Sequence, residues 1–182
     1  MIVSLEWLKD YTDINVSPEE FCDKMIMSGS NLETMEHVGC DMEKVVVGKI
    51  LKIEKHPDAD KLVVCQVDVG NDQPVQIVTG APNVFEGAYV PVALDGSRIP
   101  GPLHGQPKKE GGEIIKAGKL RGVESCGMLC SFGELGFQDK VVPVNQRDGI
   151  WILNGEYPVG MDFAEALQLE DYIVDFEITP NR

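Results

Sequence analysis

One segment near residue 120 combines residue types that suit contacts with a polyanion. In the string KLRGVESCGML, Lys119 and Arg121 are two residues apart, which places both side chains on one face if the backbone is extended. Arginine can bind a phosphate through two parallel hydrogen bonds, and lysine supplies a point charge. Ser125 could donate to a phosphate or sugar, and an exposed Met128 could pack on a base or ribose. The pattern indicates a nucleic-acid contact.

The same segment also has a purely structural interpretation. Met128 and Leu129 could belong to the hydrophobic core, and Ser125 could cap a short helix. Spacing alone leaves both interpretations open.

A second unusual string, KHPDADKL at residues 55–62, predicts a turn. Pro57 restricts φ, and the two aspartates can accept backbone hydrogen bonds. We expect a hairpin turn that places Lys61 at the start of a strand. His56 and the two aspartates could instead be metal ligands, but three ligands in one loop without a distant partner rarely form a site.

Charge is distributed unevenly along the chain. The net charge is −14 and the isoelectric point is near 4.5. Residues 40–153 have 13 basic and 15 acidic side chains, a balance of −2, whereas residues 1–39 and residues 154–182 each have a balance of −6. The middle is therefore the part most suited to a polyanion. The acidic total argues against strong, autonomous nucleic-acid binding, which depends on neutralising phosphates.

The five cysteines indicate free thiols rather than a disulfide framework or a zinc site. Their number is odd and no CxxC pair occurs. Cys126 and Cys130 are four residues apart, but zinc needs four ligands and each histidine lies far from this pair. Thiols packed as small apolar residues suit a reducing compartment. With no signal peptide at the acidic N-terminus and no apolar run of about 20 residues, we expect a cytoplasmic protein.

Sequence signals for catalysis are weak. Ser125, Cys126 and Cys130 have no neighbouring histidine, and neither GxSxG nor GxxxxGK[ST] occurs. We therefore expect no catalytic residues, no metal ligands and no cofactor site in this chain.

Helix and strand signals alternate at both ends of the chain. Ser4 can cap a helix through Tyr11, and Ser17-Pro18-Glu19-Glu20 is a strong helix start, with Gly29 as its end. A strand follows at Leu32–Val38. After Trp151, the pattern predicts a helix at Met161–Leu169 and a strand at Tyr172–Ile178.

The middle of the chain has the period of β-structure. From Lys44, about five strands with alternating polarity are broken by glycines, and the Gly/Pro-rich residues 96–112 exclude a helix. This pattern predicts a five-stranded oligonucleotide/oligosaccharide-binding (OB) barrel at 40–153. The fold class is then α+β, with the OB-fold barrel inserted into a small split α+β domain formed by 1–39 and 154–182.

Several blocks of the middle segment, in order, resemble one known family. These blocks are VVVGKILKIEKHPDADKLVVCQVDVG, IVTGAPNV, VPVALDG and KLRGVESCGMLCSFGELG. Over 40–153 they resemble the tRNA-binding barrel of several aminoacyl-tRNA synthetases and synthetase-associated factors. The flanking strings MIVSLEWLKDYTDI and DYIVDFEITPNR resemble the N-terminal region of the bacterial phenylalanyl-tRNA synthetase beta subunit.

This resemblance implies an α2β2 enzyme that attaches phenylalanine to its tRNA with ATP and magnesium. The alpha subunit would hold the aminoacylation site, and an editing site would lie beyond this segment of the beta subunit. The split flanking domain would be helical and DNA-binding-like. We expect the chain to be a fragment of that longer subunit.

The resemblance also implies which residues contact the outer corner of tRNA. They are Ser125 and Met128 of the S-x-x-M segment, the basic Lys119 and Arg121, and also Lys61 and Asn83. Relatives of the barrel are usually more basic than the −2 balance found here.

Three functions fit the sequence. The first is an accessory tRNA-binding module of the synthetase, which contacts the RNA backbone and shape. The second is a structural or docking domain with little RNA affinity, which the acidic flanks favour. The third is a free-standing tRNA-binding chaperone, against which the synthetase-like flanks argue.

Overall fold

The computed structural model describes residues 1–103, 107, 109–138, 140 and 142–177. Most of the regular structure in these residues is strand. In chain order the elements are β1 Ile2–Ser4, α1 Leu5–Leu8, α2 Pro18–Met27, β2 Asn31–Val38, β3 Glu43–Lys55, β4 Val63–Asp68, β5 Val75–Thr79, β6 Tyr89–Ile99, β7 Glu113–Ile114, β8 Gly118–Leu120, β9 Val123–Ser125, β10 Gly127–Leu129, a 3₁₀ helix Val144–Gln146, α3 Phe163–Ala166 and β11 Asp171–Glu177. None of these helices has the length and apolar character that a membrane crossing requires.

The chain forms two compact units. The smaller comprises residues 1–40 and the described residues from Gln168 onward, and the larger comprises residues 41–167. The boundary expected at residue 154 lies inside the larger unit. The reason is that residues 160–162 bond to β3, where Val47 N donates to Met161 O (2.9 Å) and Gly160 N donates to Val47 O (2.8 Å).

The smaller unit is built on an antiparallel sheet with the strand order β1-β11-β2. Its buried core consists of Leu5, Cys22, Val174 and Phe176. The resemblance implied a helical, DNA-binding-like flank, whereas here a sheet is central and the helices have four and ten residues. β2 and β11 pair at seven positions along their lengths, so a sheet rather than a helical bundle organises this unit.

The two predicted helix starts in the smaller unit are confirmed. Ser4 caps α1 by accepting from Trp7 N (2.9 Å), although α1 ends at Leu8 and only single turns continue toward Tyr11. Ser17 caps α2 by accepting from Glu20 N (3.2 Å). Serine at this position satisfies a backbone N–H that the first helical turn leaves free.

The larger unit contains a curved, barrel-like sheet. Its strand order is β10-β6-β3-β4-β5, all antiparallel, and β7 adds a short strand on β6. The path nearly closes because Cys126 N, just before β10, donates to Gln76 O of β5 (2.8 Å). The long strand β3 pairs with both β4 and β6, and a bulge at Leu51 bends it. These pairings are those of an OB-type barrel.

Buried side chains from the strands of the barrel-like sheet form one hydrophobic core. Its largest fully buried members are Ile50, Ile77, Val67, Val90 and Val92. Gly48 allows close packing at this point, since an added Cβ would lie 2.5 Å from Val92 Cγ2. Glycine at position 48 thus lets neighbouring side chains pack directly against the β3 backbone.

The helix expected at Met161–Leu169 is shorter than its apolar pattern predicts. Asp162 caps α3, accepting from Ala164 N (2.9 Å), but the helix ends at Ala166. Gln168 adopts φ of 51°, the left-handed conformation that often ends a helix, and the chain then enters β11. The final strand was expected at Tyr172–Ile178; it is described over Asp171–Glu177, and Ile178 lies outside the described residues.

Candidate nucleic-acid interface

The KLRG segment forms a β-hairpin rather than one extended strand. Strands β8 and β9 pair with Leu120 opposite Val123, so that Arg121 and Gly122 are the two turn residues. Their φ angles are 45° and 86°, the pattern of a type I′ turn. Lys119 and Arg121 would share one face only on an extended backbone, and this condition is not met because the backbone reverses at Arg121. Both side chains are exposed.

Ser125 lies inside the protein, with 3% of its surface exposed. Its Oγ accepts from Val78 N of β5 (3.1 Å) and donates to Gly127 O of β10 (3.0 Å). The alternative that Ser125 caps a helix is wrong, since residues 123–125 and 127–129 are strands. The hydroxyl joins strands at the point where the sheet closes. Direct contact of Ser125 with tRNA stays a prediction.

Replacing Ser125 with alanine should lower the free energy of unfolding by about 1–3 kcal/mol, because the Val78 N–H loses its acceptor in a buried position. Urea denaturation would measure this loss. Glu124→Ala, at the exposed neighbouring position, is the control and should change stability by less than about 0.5 kcal/mol. A Ser125→Ala protein of unchanged stability but reduced tRNA affinity would instead support direct contact.

Met128 lies in β10 opposite Ala93 and is partly buried, whereas the neighbouring Leu129 belongs to the core at 3% exposure. The core interpretation is therefore confirmed for Leu129. Met128 faces the cleft described next, where it offers a polarizable apolar surface.

A cleft of about 770 Å³ opens beside the β8–β9 hairpin, within the larger unit. We call it the basic cleft because Lys116, Lys119 and Arg147 line it. The acidic residues of its lining are Glu134 and Asp148. The remaining lining residues are residues 78–82, Leu103, Ile114, Ile115, Gly118, Leu120, Ser125, residues 127–129, Ser131, Gly149 and Ile150. Its size is that of a pocket for a small ligand or a nucleotide.

Some charged side chains of the basic cleft already form hydrogen bonds within the protein. Glu134 Oε2 accepts from both the backbone N (2.7 Å) and the Oγ (2.8 Å) of Ser131, so this carboxylate is already hydrogen-bonded. Arg147 donates through Nε to Val142 O (3.2 Å), which leaves the rest of its guanidinium exposed at the rim. The lining thus combines three cations and two carboxylates with apolar side chains, a net balance of one positive charge. That combination suits a phosphate next to a base or sugar.

Asn83 does not line the basic cleft but is hydrogen-bonded to Ile150, which does. Its Nδ2 donates to Ile150 O (2.8 Å), and its Oδ1 accepts from Ile150 N (3.0 Å). Gly149 has φ of 120°, and an added Cβ there would lie 2.1 Å from Asn83 Oδ1. The amide therefore uses one donor and one acceptor in fixing the segment that follows Arg147. A direct contact of Asn83 with tRNA stays a prediction.

The HPDADKL turn, residues 56–62, connects β3 and β4, as the sequence predicts, but Lys61 lies in the turn and the strand begins at Val63. Lys61 is exposed and is not a lining residue of the basic cleft. His56 is buried and uses both ring nitrogens in hydrogen bonds, with Asp58 N at 3.1 Å and Leu120 O at 3.1 Å. Within the described residues, no group of three His, Cys, Asp or Glu side chains could hold a metal ion.

Two cysteine thiols are buried in the larger unit. Burial raises the pKa of Cys65 to about 11 and also raises the pKa of Cys130. Both thiols are therefore protonated at neutral pH. They pack as small apolar residues.

The structure thus groups the predicted residues in three ways. Lys119, Ser125 and Met128 line the basic cleft, Lys61 and Arg121 lie on the two neighbouring turns, and Asn83 supports the cleft wall. Sequence reasoning missed two further cations of the cleft. Lys116 begins the KAGKL string and could have been included on charge alone. Arg147 carries no local signal, since tertiary packing alone brings it to the hairpin.

Comparisons with known proteins find sequence relatives and structural neighbours. The sequence profile of the family described as "Putative tRNA binding domain" matches residues 45–160. The phenylalanine–tRNA ligase beta subunits of Clostridium acetobutylicum and Latilactobacillus sakei are 47% and 44% identical over 182 residues, all of this chain. The chain spans 21% of the length of each of these relatives.

Among solved structures, a MetRS related protein from Pyrococcus horikoshii matches with a TM-score of 0.41 and 21% identity. The match covers 82% of this chain and 97% of that one. Because the profile covers more than half of the chain, the predicted resemblance to a tRNA-binding barrel is confirmed. The chain belongs to the tRNA-binding domain family.

Proposed function

We propose that this chain is an accessory tRNA-binding module of a phenylalanine–tRNA ligase beta subunit. The observation that carries the proposal is the basic cleft, where Lys116, Lys119 and Arg147 line the same cavity as Met128 and other apolar side chains. The cations would contact phosphates, and Met128 would pack on a base or sugar. Arg121 and Lys61, on the neighbouring turns, extend the positive surface.

The catalytic steps would take place elsewhere in the enzyme. An α2β2 synthetase would use ATP and Mg²⁺ to attach phenylalanine to tRNA, with the reaction centre in the alpha subunit. In this proposal the present chain supplies neither catalytic residues nor cofactor ligands, and the protein works in the cytoplasm. The relatives' name as a ligase beta subunit supports this assignment.

The smaller unit would have a structural role in this enzyme. Its sheet unites β1 and β2 with β11, so the chain leaves this unit after residue 40 and returns to it at residue 168. We infer that the barrel is inserted into a split α+β domain of the beta subunit. Its acidic balance makes this domain better suited to protein contacts than to RNA.

A docking role without significant RNA affinity is the second candidate. Two predicted contact residues favour it, since the Ser125 hydroxyl and the Asn83 amide are both used within the protein. In that case the barrel would stabilise the synthetase and the basic cleft would have no RNA partner.

Fluorescence anisotropy of labelled tRNA separates the two candidates. An RNA-binding module should bind tRNA at ~50 mM salt and lose most of this affinity at ~200 mM, because each phosphate contact lowers log K by about 0.7–0.9 per decade of salt. A tRNA of another amino-acid specificity should bind equally, since backbone contacts carry no sequence information. Absence of binding at ~100 μM protein and low salt would leave docking as the function.

A further inference from the structure

His56 connects two segments that are distant in the sequence. Its backbone N donates to Leu62 O (3.2 Å), and its ring Nδ1 accepts from Asp58 N (3.1 Å). Because Nδ1 is an acceptor, the ring proton is on Nε2, which donates to Leu120 O (3.1 Å). Only 6% of the His56 surface is exposed. The ring thus bonds the HPDADKL turn to the end of β8.

The Leu120 carbonyl, which accepts from His56, lies where β8 enters the hairpin turn. Leu120 is the last residue of β8 and directly precedes the left-handed turn residue Arg121. The start of β8 is held separately, where Ala117 N donates to Asp95 Oδ1 (2.6 Å). The other strand, β9, bonds to β5 through Gln76 Nε2, which donates to Glu124 O (2.7 Å). His56 therefore holds the turn end of β8, which neither of these two contacts reaches.

We propose that His56 is a positioning residue for RNA binding, which holds the β8–β9 hairpin so that Lys119 and Arg121 are presented together. This inference rests on the proposed tRNA-binding function. A two-stranded hairpin is marginally stable by itself, so without this hydrogen bond the turn would populate other conformations. Apparent affinity falls in proportion to the fraction of protein in the binding-competent state.

Two substitutions separate the two hydrogen bonds of the ring. In His56→Asn the side-chain oxygen takes the place of Nδ1 and can still accept from Asp58 N, but the side chain is too short for Leu120 O. In His56→Gln the amide nitrogen reaches the place of Nε2 and can still donate to Leu120 O. We expect His56→Asn to weaken tRNA binding about tenfold, and His56→Gln to stay within about threefold of the wild type.

The salt dependence adds a readout that a general loss of stability would not change. If the His56→Asn protein binds tRNA with the hairpin displaced, so that Lys119 and Arg121 make no phosphate contacts, the slope of log K against log salt falls by about 1.4–1.8. In a protein that already carries Lys119→Ala and Arg121→Ala, adding His56→Asn should cost no further affinity. Equal weakening in both backgrounds, or equal affinity for the Asn and Gln variants, would overturn the inference.

Hydrogen exchange of the RNA-free protein gives a second, independent test. The hairpin amides of His56→Asn should exchange faster than those of His56→Gln, while the amides of β3 and β4 keep their protection. Wild-type protein that binds no tRNA would refute the proposed function and this role together. Wild-type binding that His56→Asn leaves intact would refute only the role of His56.

Discussion

A triple variant with Lys116, Lys119 and Arg147 replaced by alanine is expected to bind tRNA at least about tenfold more weakly at low salt. These side chains are the cations that line the basic cleft, and each can neutralise one phosphate. Loss of three phosphate contacts should also reduce the slope of log K against log salt by about 2–3. Anisotropy titrations across a salt series would measure both quantities.

The matched control removes the same charge elsewhere. Lys9, Lys24 and Lys52 each form a surface ion pair and none lines the cleft. Their triple alanine variant has the same net charge as the cleft variant, so long-range electrostatics is equalised between the two. Stability should change little, because exposed ion pairs contribute only about 0–1 kcal/mol each. Equal loss of affinity in both variants would show that total charge, rather than the cleft, determines binding.

The largest expected effect on stability comes from Gly101→Ala. An added Cβ at Gly101 would lie 1.9 Å from Gly133 O and 2.7 Å from Glu134 C, both backbone atoms. The backbone cannot move away easily, since Gly101 N donates to Glu134 O (2.9 Å). We expect a loss of about 3 kcal/mol in the free energy of unfolding, measured by urea denaturation. Because Glu134 lines the basic cleft, tRNA affinity should decrease as well.

Gly133→Ala is the control, because Gly133 carries the carbonyl oxygen that an added Cβ at Gly101 would meet. An added Cβ at Gly133 would meet no atom within 4 Å, and its φ is not in the left-handed region. Alanine there should be neutral or slightly stabilising, because it reduces the entropy of the unfolded chain. Similar stability of the two variants would mean that the loop at Gly101 adjusts freely.

Local signals predicted much of the fold. Ser17 and Pro18 predicted the start of α2, and alternating polarity predicted the long strands β3 and β4. These features depend on neighbours within a few residues, which a sequence displays directly. The Arg121-Gly122 turn was missed because type I′ turns usually have Asn-Gly or Asp-Gly at these positions.

Features that depend on distant contacts could not be predicted. Ser125 looks like an exposed polar residue, but the approach of β5 buries it and engages its hydroxyl. Arg147 lies at the cleft in a segment that Asn83, far away in the sequence, helps to fix through Ile150. The end of α3 depends similarly on the path into β11, which the apolar pattern does not reveal. Side-chain burial and long-range grouping follow from the fold and not from spacing.

The central position of β11 has a consequence for synthesis on the ribosome. β11 lies between β1 and β2, yet 132 residues separate Val38 from Asp171. At about 5–20 residues per second, β1 and β2 wait roughly 7–26 s for their shared neighbour, with unpaired edges open to wrong partners.

The barrel residues 41–167 emerge during this interval and can fold first. Folding them replaces a long, flexible loop by a compact connection before β11 arrives. Gly39 lies against Leu169 and Glu170 in the finished protein, since an added Cβ on Gly39 would be 2.2 Å from Leu169 O. Closing the long loop costs about 3 kcal/mol more in entropy than closing a loop of a few residues, and folding of the barrel bears this cost before the sheet forms. A slowly folding barrel would therefore delay the smaller unit and prolong its exposure to aggregation.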